Sequence, residues 1–280
     1  MRLIWRKLVR DRSALTGLVI VVLVLLVALF APHIAPHPED AFSSDPLQRL
    51  QPPGAAHWLG TDSLGRDILS RVILGTRIAL GIAVSVVVVA MAIGVPLGLV
   101  AGYFSGWRSE LVMRVTDVFL AVPQLILALA LAQLLRPSIE SAMAALTLTY
   151  WPFFTRIVYA ETQRLRHAVF VEALEGLGAH PARILFRHIL PNVASPVIVR
   201  ATIGMGYAIL TAAVLGFLGM GAPPPQPEWG LMVSESREFL PDAWWFATFP
   251  GLAIFLVVFA FNLLGDGLRD VVDPRLRRSR

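Results

Sequence analysis

The chain has 280 residues, of which 56% are hydrophobic and 15% are charged, and its mean hydropathy is +0.68. Soluble domains carry about 25% charged residues, so this composition indicates a chain that is partly solvated by lipid. There is no cysteine, which excludes disulfides, thiolate metal sites and cysteine nucleophiles. The net charge of +5 comes from basic residues scattered between apolar runs, a pattern that favours membrane surfaces over nucleic acid as a partner.

Long stretches with little or no charge predict six membrane-spanning helices. In chain order these are residues 14–31, a span within 78–107, and then 118–135, 139–160, 201–221 and 243–265. The first has the basic flank of a signal peptide, but its apolar run is longer than a typical h-region and no A-x-A site follows. A retained helix is therefore favoured. The expected fold class is an all-α polytopic membrane protein.

The distribution of basic residues predicts the orientation in the membrane. Six crossings place both termini on one side, and that side holds 18 of the 24 lysines and arginines, with Arg156 and Arg200 counted there at span ends. The positive-inside rule then predicts cytoplasmic termini. The centres of the spans are nearly free of ionisable residues, which argues against a channel or a carrier driven by an ion gradient.

Motifs for catalysis are missing from the sequence. There is no G-x-x-x-x-G-K-[ST] phosphate loop, no H-E-x-x-H and no G-x-S-x-G. His33 and His37 are flanked by prolines and are interpreted as loop histidines rather than metal ligands. We therefore expect a chain that is not an enzyme, has no ATPase site, and holds no metal or cofactor of its own.

Two further patterns lie in or near the second span. Gly94, Gly98, Gly102 and Gly106 repeat every four residues and predict a helix face on which another helix packs closely. Before the span, Thr61 or Asp62 is expected to cap a short surface helix.

The segment between spans four and five predicts a helical hairpin. Phe170, Ala173, Leu174 and Leu177 mark one apolar helix face, which Gly176 and Gly178 end. Pro181 suits the first turn of a second helix, which is expected to stop at Pro191. Periodicity alone leaves open whether the hairpin lies in the headgroups or fills a groove on a partner protein.

The same segment resembles the E-A-A-x-x-x-G-x(9)-I-x-L-P loop of permease subunits of bacterial binding-protein-dependent ABC importers. Glu172, Ala173, Gly178, Leu190 and Pro191 match in place, whereas Leu174 stands for the second alanine and His188 for the isoleucine. In that family the loop is the coupling helix, which is seated in the ATPase subunit.

Three other segments resemble the second permease subunit of the dipeptide, oligopeptide and nickel group. They read HWLGTDSLGRD at 57–67, GFLGMGAPPPQPEWG at 216–230, which is most like dipeptide permeases, and NLLGDGLRDVVDPRLR at 262–277. The matches together cover most of residues 58–277. The external-motif residues that the resemblance singles out are Gly60, Thr61, Asp62, Gly65, Arg66 and Asp67.

The resemblance implies a type I ABC importer permease fold and an ATP-driven import of dipeptides or short oligopeptides. Implied partners are a homologous permease, two ATPase subunits that bind ATP and magnesium, an extracytoplasmic binding protein and membrane lipid. Nickel chelates, glutathione or haem are alternative cargoes, and an ion-coupled carrier or a membrane scaffold are alternative functions. The expected organisation is a tail, first span and external loop (1–72), a five-helix core (73–268) that includes the coupling loop (161–192), and a basic tail (269–280).

Overall fold

The computed structural model describes residues 11–272, and that part of the chain is helical almost throughout, with no strand. Part of the predicted basic tail, residues 273–280, lies outside the described residues. Short 3₁₀ turns at Pro46–Gln48 and Arg237–Phe239 interrupt the connections. The helices are α1 Arg12–Ile34, α2 Ile68–Tyr103, α3 Trp107–Ala121, α4 Gln124–Leu134, α5 Ile139–Arg166, α6 Val169–Gly176, α7 Pro181–Phe217, α8 Trp229–Ser236 and α9 Trp244–Val272.

Within the described range, α1, α2, α7 and α9 are long and apolar enough to cross a membrane, and α3 with α4 adds a fifth crossing if the bent pair is one span. The remaining predicted span is α5, whose 28 residues extend about 42 Å at 1.5 Å per residue. Its threonine, tyrosine and arginine residues make it less apolar than the others.

The direction of α5 shows that the bent pair crosses the bundle. Gly94 of α2 lies against Trp151, and Gly102 lies against Thr162, so α2 and α5 run parallel. The chain must therefore return between them, and α3 with α4 is the segment available. The prediction of a single helix over 118–135 was wrong, because the chain bends by 90° between Ala121 and Gln124. Pro123 lies within this bend.

The remaining helices alternate in direction. Gly265 of α9 lies against Ile203, and Gly206 lies against Phe261, so α9 is antiparallel to α7. Gly267 lies against Ala14, and Gly17 lies against Leu264, so α9 is antiparallel to α1 as well. Consequently the start of α1, the end of α9 and the hairpin of α6 with the first turns of α7 share one end of the bundle. We call this the hairpin end, and the other the opposite end.

The second helix of the hairpin does not stop at Pro191, and the predicted start of a span at residue 201 was wrong. Helix α7 runs without a break from Pro181 to Phe217. Residues Ile184–Ile189 form a π-helical turn, in which the N–H of Leu190 donates to the carbonyl of Leu185. A wider turn at this point shifts the hydrogen-bond ladder, so the proline ring and its missing N–H are tolerated.

Because α7 is continuous, one charged residue lies at a different place from the one that the sequence predicted. Arg200, which the sequence placed at a span end, lies near the middle of the 37-residue α7. Arg156 likewise lies well inside α5, where its Nη2 is 2.9 Å from Oδ1 of Asp117 on α3. Both arginines therefore lie within helices rather than at span ends, although Arg156 and Asp117 are exposed and Arg200 is half-buried. Without these two arginines, the sequence still assigns 16 basic residues to the side of the termini and 6 to the other side.

Candidate functional site

Helix α6 of the hairpin ends in a turn that depends on a glycine. The N–H of Gly178 donates to the carbonyl of Glu175 at 2.9 Å, and the N–H of Ala179 donates to that of Leu174 at 3.0 Å. This pair of bonds defines a Schellman motif, in which the residue after the cap adopts the left-handed conformation. Gly178 has φ +74° and supplies that conformation.

The start of α7 is fixed by two local features. Pro181 occupies its first turn, and Nδ1 of His180 accepts from the N–H of Ala182 at 3.3 Å. One turn after the π-helical segment, Nδ2 of Asn192 donates to the carbonyl of His188 at 2.6 Å. The side-chain amide thereby satisfies a carbonyl close to the proline.

The hairpin is anchored to the bundle on one side and exposed on the other. Its buried side chains are Val171, Ile184, Leu185 and Ile189. Its outer surface carries large apolar side chains, with exposed fractions of 81% for Val169, 41% for Phe170, 84% for Leu177 and 61% for Phe186. We call these last four residues the apolar tip. Apolar side chains in this number on a charged, solvent-facing hairpin are typical of a contact surface.

The predicted apolar face of α6 is divided between these two sides. Leu174 is half-buried and packs against the core, whereas Phe170, Ala173 and Leu177 face outward. The reason is that Val171, which is outside the predicted face, is the side chain that α6 buries. An isolated amphipathic pattern does not distinguish the side that packs internally from the side left for a partner.

The other residues of the predicted coupling loop are distributed along the same hairpin. Glu172 and Pro191 are exposed, and His188 and Leu190 are half-buried. Sequence reasoning missed Glu175, whose Oε1 accepts from the hydroxyl of Tyr103 at 2.6 Å. That bond joins the hairpin to the end of α2. The two residues are 72 positions apart, so no local pattern signals the pair.

The external-motif residues gather at the opposite end around a buried ionic cluster. Nε of Arg66 lies 2.6 Å from Oδ2 of Asp62, and its Nη2 lies 2.8 Å from Oε2 of Glu235 on α8. Arg71 lies 3.5 Å from the same Asp62 oxygen and 3.8 Å from Glu235. Two cations thus face two anions, which compensates the desolvation of each. The cluster ties the loop before α2 to α8.

Asp67, rather than Thr61 or Asp62, begins the helix at this end. Its Oδ2 accepts from the N–H of Ser70 at 2.8 Å, so the predicted short surface helix is in fact the first turns of α2. Asp62 instead folds the loop, since its Oδ1 accepts from the N–H groups of Leu64 and Arg66 at 2.9 Å each.

The rest of the motif packs this loop against its neighbours. Gly60, at φ +76°, lies under the ring of Trp245, and Gly65, at φ +80°, lies against the carbonyl of Asp45. The carbonyl of Thr61 accepts from Nε1 of Trp245 at 3.2 Å. A side chain at either glycine would overlap these neighbours.

Three potential metal ligands also meet there. The ligand atoms of His37, His57 and Asp67 lie within 4.8 Å of one another. However, Nδ1 of His57 is 2.9 Å from Asp67, and its Nε2 contacts Oε1 of Gln48. Nε2 of His37 is 3.1 Å from the carbonyl of Ala56. Hydrogen bonds therefore explain this group without a metal ion.

Three of the four glycines in the predicted stripe lie at the α2–α5 contact. A Cβ at Gly94, Gly98 or Gly102 would come within 2.5 to 2.7 Å of atoms of α5. Gly106 is different, because α2 ends at Tyr103. It precedes α3 with φ +84° and has nothing within 4 Å of its Cβ position, so its predicted packing role was wrong.

Comparison with known proteins assigns this architecture. Residues 94–278 match the family model described as a binding-protein-dependent transport system inner membrane component. Residues 1–53 match the N-terminal TM domain of oligopeptide transport permease C. A chain of the inward-facing MetNI methionine ABC transporter superposes with a TM-score of 0.60 at 20% identity, covering 72% of this chain and 96% of that chain.

Curated relatives match over nearly the whole length. The dipeptide transport system permease protein DppC of Alkalihalophilus pseudofirmus is 43% identical, over 98% of this chain and 89% of the relative. The glutathione transport system permease protein GsiD of Escherichia coli O157:H7 is 45% identical, over 98% and 90%. The probable D,D-dipeptide transport system permease protein DdpC of Escherichia coli K12 is 41% identical, over 98% and 91%.

This chain belongs to the family of inner membrane components of binding-protein-dependent transport systems. It is a multi-pass permease of the inner membrane with the type I ABC importer fold, as the hairpin motif predicted. Membership of the family implies ATPase and binding-protein partners.

Proposed function

We propose that this permease carries small peptides across the cytoplasmic membrane, and that separate ATPase subunits drive it through the hairpin. The observation that carries the proposal is the apolar tip: four large apolar side chains face outward on a hairpin that is rigidly anchored by buried ones. A surface of this kind is suited to insertion into a groove on a soluble partner. Headgroup burial alone would not require the Schellman turn or the Tyr103–Glu175 bond.

The source of energy follows from the sequence. With no phosphate loop in its 280 residues, the chain would depend on partner subunits to bind ATP and magnesium. A homologous permease would pair with this one, so that two hairpins receive two ATPase subunits. Closure of the ATPases on ATP would then move both hairpins, and the bond between Tyr103 and Glu175 would transmit that movement to α2.

The orientation is part of the proposal. The hairpin end carries the excess of basic residues and would face the cytoplasm together with both termini. The opposite end would then face the binding protein. A cleft of about 450 Å³ opens there beside the ionic cluster, lined by Ser63, Ser234, Glu235, Arg237, Glu238 and Phe239. We propose this cleft as part of the surface that receives the loaded binding protein.

The proposed cargo class is short peptides. Two of the relatives are described as transporting dipeptides or D,D-dipeptides, and a third glutathione, at similar identity. These cargoes share peptide bonds, free carboxylates and small size. Glutathione is therefore the second candidate, ahead of nickel chelates and haem.

The test is ATP hydrolysis by the complete transporter reconstituted in nanodiscs with its binding protein. Each member of a panel of dipeptides, tripeptides, glutathione and nickel chelates is added at saturation. We expect the peptides to stimulate hydrolysis above the peptide-free level, and the nickel chelates to have no effect. Stimulation by a nickel chelate alone would contradict the proposed cargo, and transport that persists without ATP would contradict the ABC mechanism.

A further inference from the structure

Helix α7 carries a cation well inside its length, which the hydropathy pattern placed at the end of a span. Arg200 lies near the middle of α7, roughly 25 Å from the Phe217 end at 1.5 Å per residue. Its neighbour across the contact, Tyr150, is near the middle of α5, and the Tyr150 ring lies against Gly204. An arginine is costly to keep against lipid tails, so one that lies within a membrane-crossing helix faces a water-filled cavity, another protein or, near a span end, the headgroups.

Aromatic rings hold the guanidinium in place. The Arg200 carbon Cζ lies 4.7 Å from the ring centroid of Phe153 and 5.4 Å from that of Tyr150. Tyr150 is itself stacked on Tyr207, with centroids 6.0 Å apart and planes at 14°. Cation–π contacts of this kind fix the plane of the guanidinium and leave its N–H edge free.

No acidic group within residues 11–272 neutralises this arginine. Over that range Arg200 forms no ion pair, and its guanidinium donates no hydrogen bond. By contrast, Arg156, the other arginine that lies well inside a helix, is paired with Asp117. Arg200 therefore has donors available for a ligand, whereas Arg156 has already engaged a carboxylate.

The surface around Arg200 is open, and it differs from the apolar surface of the bundle. Tyr207 lies seven residues after Arg200 on the same face of α7 and is 38% exposed, while Arg200 and Phe153 are half-buried. Helix α9 instead presents an entirely apolar surface suited to lipid, formed by Leu252, Phe255, Leu256 and Phe259. The polar, aromatic face is thus the one suited to line a path.

We infer that Arg200, held on Phe153 and Tyr150, forms an anion subsite inside the translocation path that binds the carboxylate of the peptide. This inference rests on the proposed function. A peptide that leaves its binding protein loses hydration as it enters the bundle, and its carboxylate is its most strongly hydrated group. The guanidinium fork matches that group with two parallel N–H bonds. Tyr207 supplies an exposed ring beside it for apolar peptide side chains.

The hydroxyl of Tyr150 takes no part in the contact with Arg200. It is buried against Gly204 and has no hydrogen-bond partner among the described residues. The ring face, not the hydroxyl, is what contacts Arg200. Tyr150→Ala, which removes the ring, should therefore release the guanidinium from this position.

The first experiment measures peptide delivered per ATP hydrolysed in proteoliposomes that contain the complete transporter and saturating binding protein. We expect Arg200→Gln to lower this ratio about tenfold or more, the effect of losing a hydrogen bond to a charged group. Arg200→Lys should lower it less, since charge remains without the fork, and Leu252→Ala, on the apolar surface of α9, should leave it unchanged. Wild-type proteoliposomes that deliver no peptide would contradict the proposed function. An unchanged ratio in Arg200→Gln, with normal wild-type delivery, would contradict this inference alone.

The second experiment probes the guanidinium directly. Phenylglyoxal modifies free arginine, and mass spectrometry of the assembled transporter reports the extent of modification at Arg200. A dipeptide should slow this modification, whereas the same dipeptide with a C-terminal amide should not. Equal protection by both peptides would overturn the assignment to a carboxylate. An unreactive Arg200, or a Gln variant that no longer assembles with the second permease, would show instead that Arg200 is a contact between subunits.

Discussion

At the scale of single residues, the start of α8 buries a carboxylate. Oε1 of Glu228 accepts from the N–H of Gly230 at 2.8 Å, and Oε2 accepts from that of Leu231 at 2.7 Å. The carboxylate lies so close to Gly216 that a Cβ there would overlap it. Burial raises the pKa of Glu228 to about 7, although the two amide donors act in the opposite direction.

This raised pKa predicts how stability depends on pH. The folded chain holds the Glu228 proton more tightly than the unfolded chain, whose pKa is near the ordinary 4.5. The stabilisation that the protonated Glu228 gives the folded chain is therefore fully present below about pH 4.5, and it is lost as the pH rises through about 7. We expect wild-type protein in detergent to lose up to about 3 kcal/mol of stability across this range, measured as a fall in the thermal midpoint.

The matched variants are Glu228→Gln, which is neutral at every pH, and Glu238→Gln, which alters an exposed glutamate at the same end. The first should flatten the pH profile, and the second should leave it unchanged. Parallel profiles for the wild type and Glu228→Gln would show that this carboxylate does not titrate in the range expected from its burial.

At the scale of elements, the contact between α2 and α5 depends on small residues because helices in lipid gain stability from close packing rather than from the hydrophobic effect. Gly98 lies against the carbonyl of Thr155 and the side chain of Val158, each 2.7 Å from the position of an added Cβ. We expect Gly98→Val to cost about 1–3 kcal/mol by overpacking, seen as a lower thermal midpoint in detergent.

Gly81 provides the control on the same helix, since nothing lies within 4 Å of its Cβ position. Gly81→Val should change stability by less than about 0.5 kcal/mol in the isolated chain. If both valine variants were equally stable, the close approach of α2 and α5 would not be the contact described above.

The turn of the hairpin gives a second prediction at the scale of elements. Gly178 has φ +74°, and a residue with a Cβ pays roughly 1–2 kcal/mol in that conformation. No atom lies within 4 Å of its Cβ position, so the effect is on the backbone alone. We expect Gly178→Val to weaken co-purification of the ATPase and to lower transport, while membrane insertion is unchanged.

Two further variants separate the effect of backbone strain from the effect of side-chain size. Gly176 is also open, but it is the last residue of α6 and has no positive φ, so Gly176→Val should bind the ATPase better than Gly178→Val. Asparagine tolerates the left-handed conformation, and Gly178→Asn should recover part of the binding. Full assembly and transport in Gly178→Val would mean that the turn does not position the partner.

At the scale of the whole molecule, the crossings and the family were readable from the sequence because apolar runs and local motifs carry them. The hairpin motif led to the right class of protein although Leu174 and His188 depart from it. What local patterns could not supply were relations between distant segments. The bond between Tyr103 and Glu175 and the pairing of Arg66 with Glu235 depend on tertiary packing.

The errors in where helices end have a physical origin in proline. The second hairpin helix was expected to end at Pro191. A π-helical turn accommodates this proline instead, and α7 continues past it. Arg200 was consequently assigned to the end of a span rather than to the middle of α7. Near Pro123, by contrast, the chain bends by 90°, and the predicted third span forms two separate helices. Whether a proline ends a helix, bends it or is accommodated within it depends on the residues that pack around it. A single sequence does not describe that packing.

The central claim is that the hairpin is where a separate ATPase acts on this permease. The chain has no cysteine, so single cysteines can be introduced without background. Leu177→Cys places one on the apolar tip, where the side chain is 84% exposed, and Leu47→Cys places one at the opposite end, where it is 92% exposed. A photo-crosslinker attached to each is activated in the assembled transporter. The account predicts a crosslink from position 177 to the ATPase subunit and none from position 47. A crosslink from position 47, or none from position 177, would contradict it.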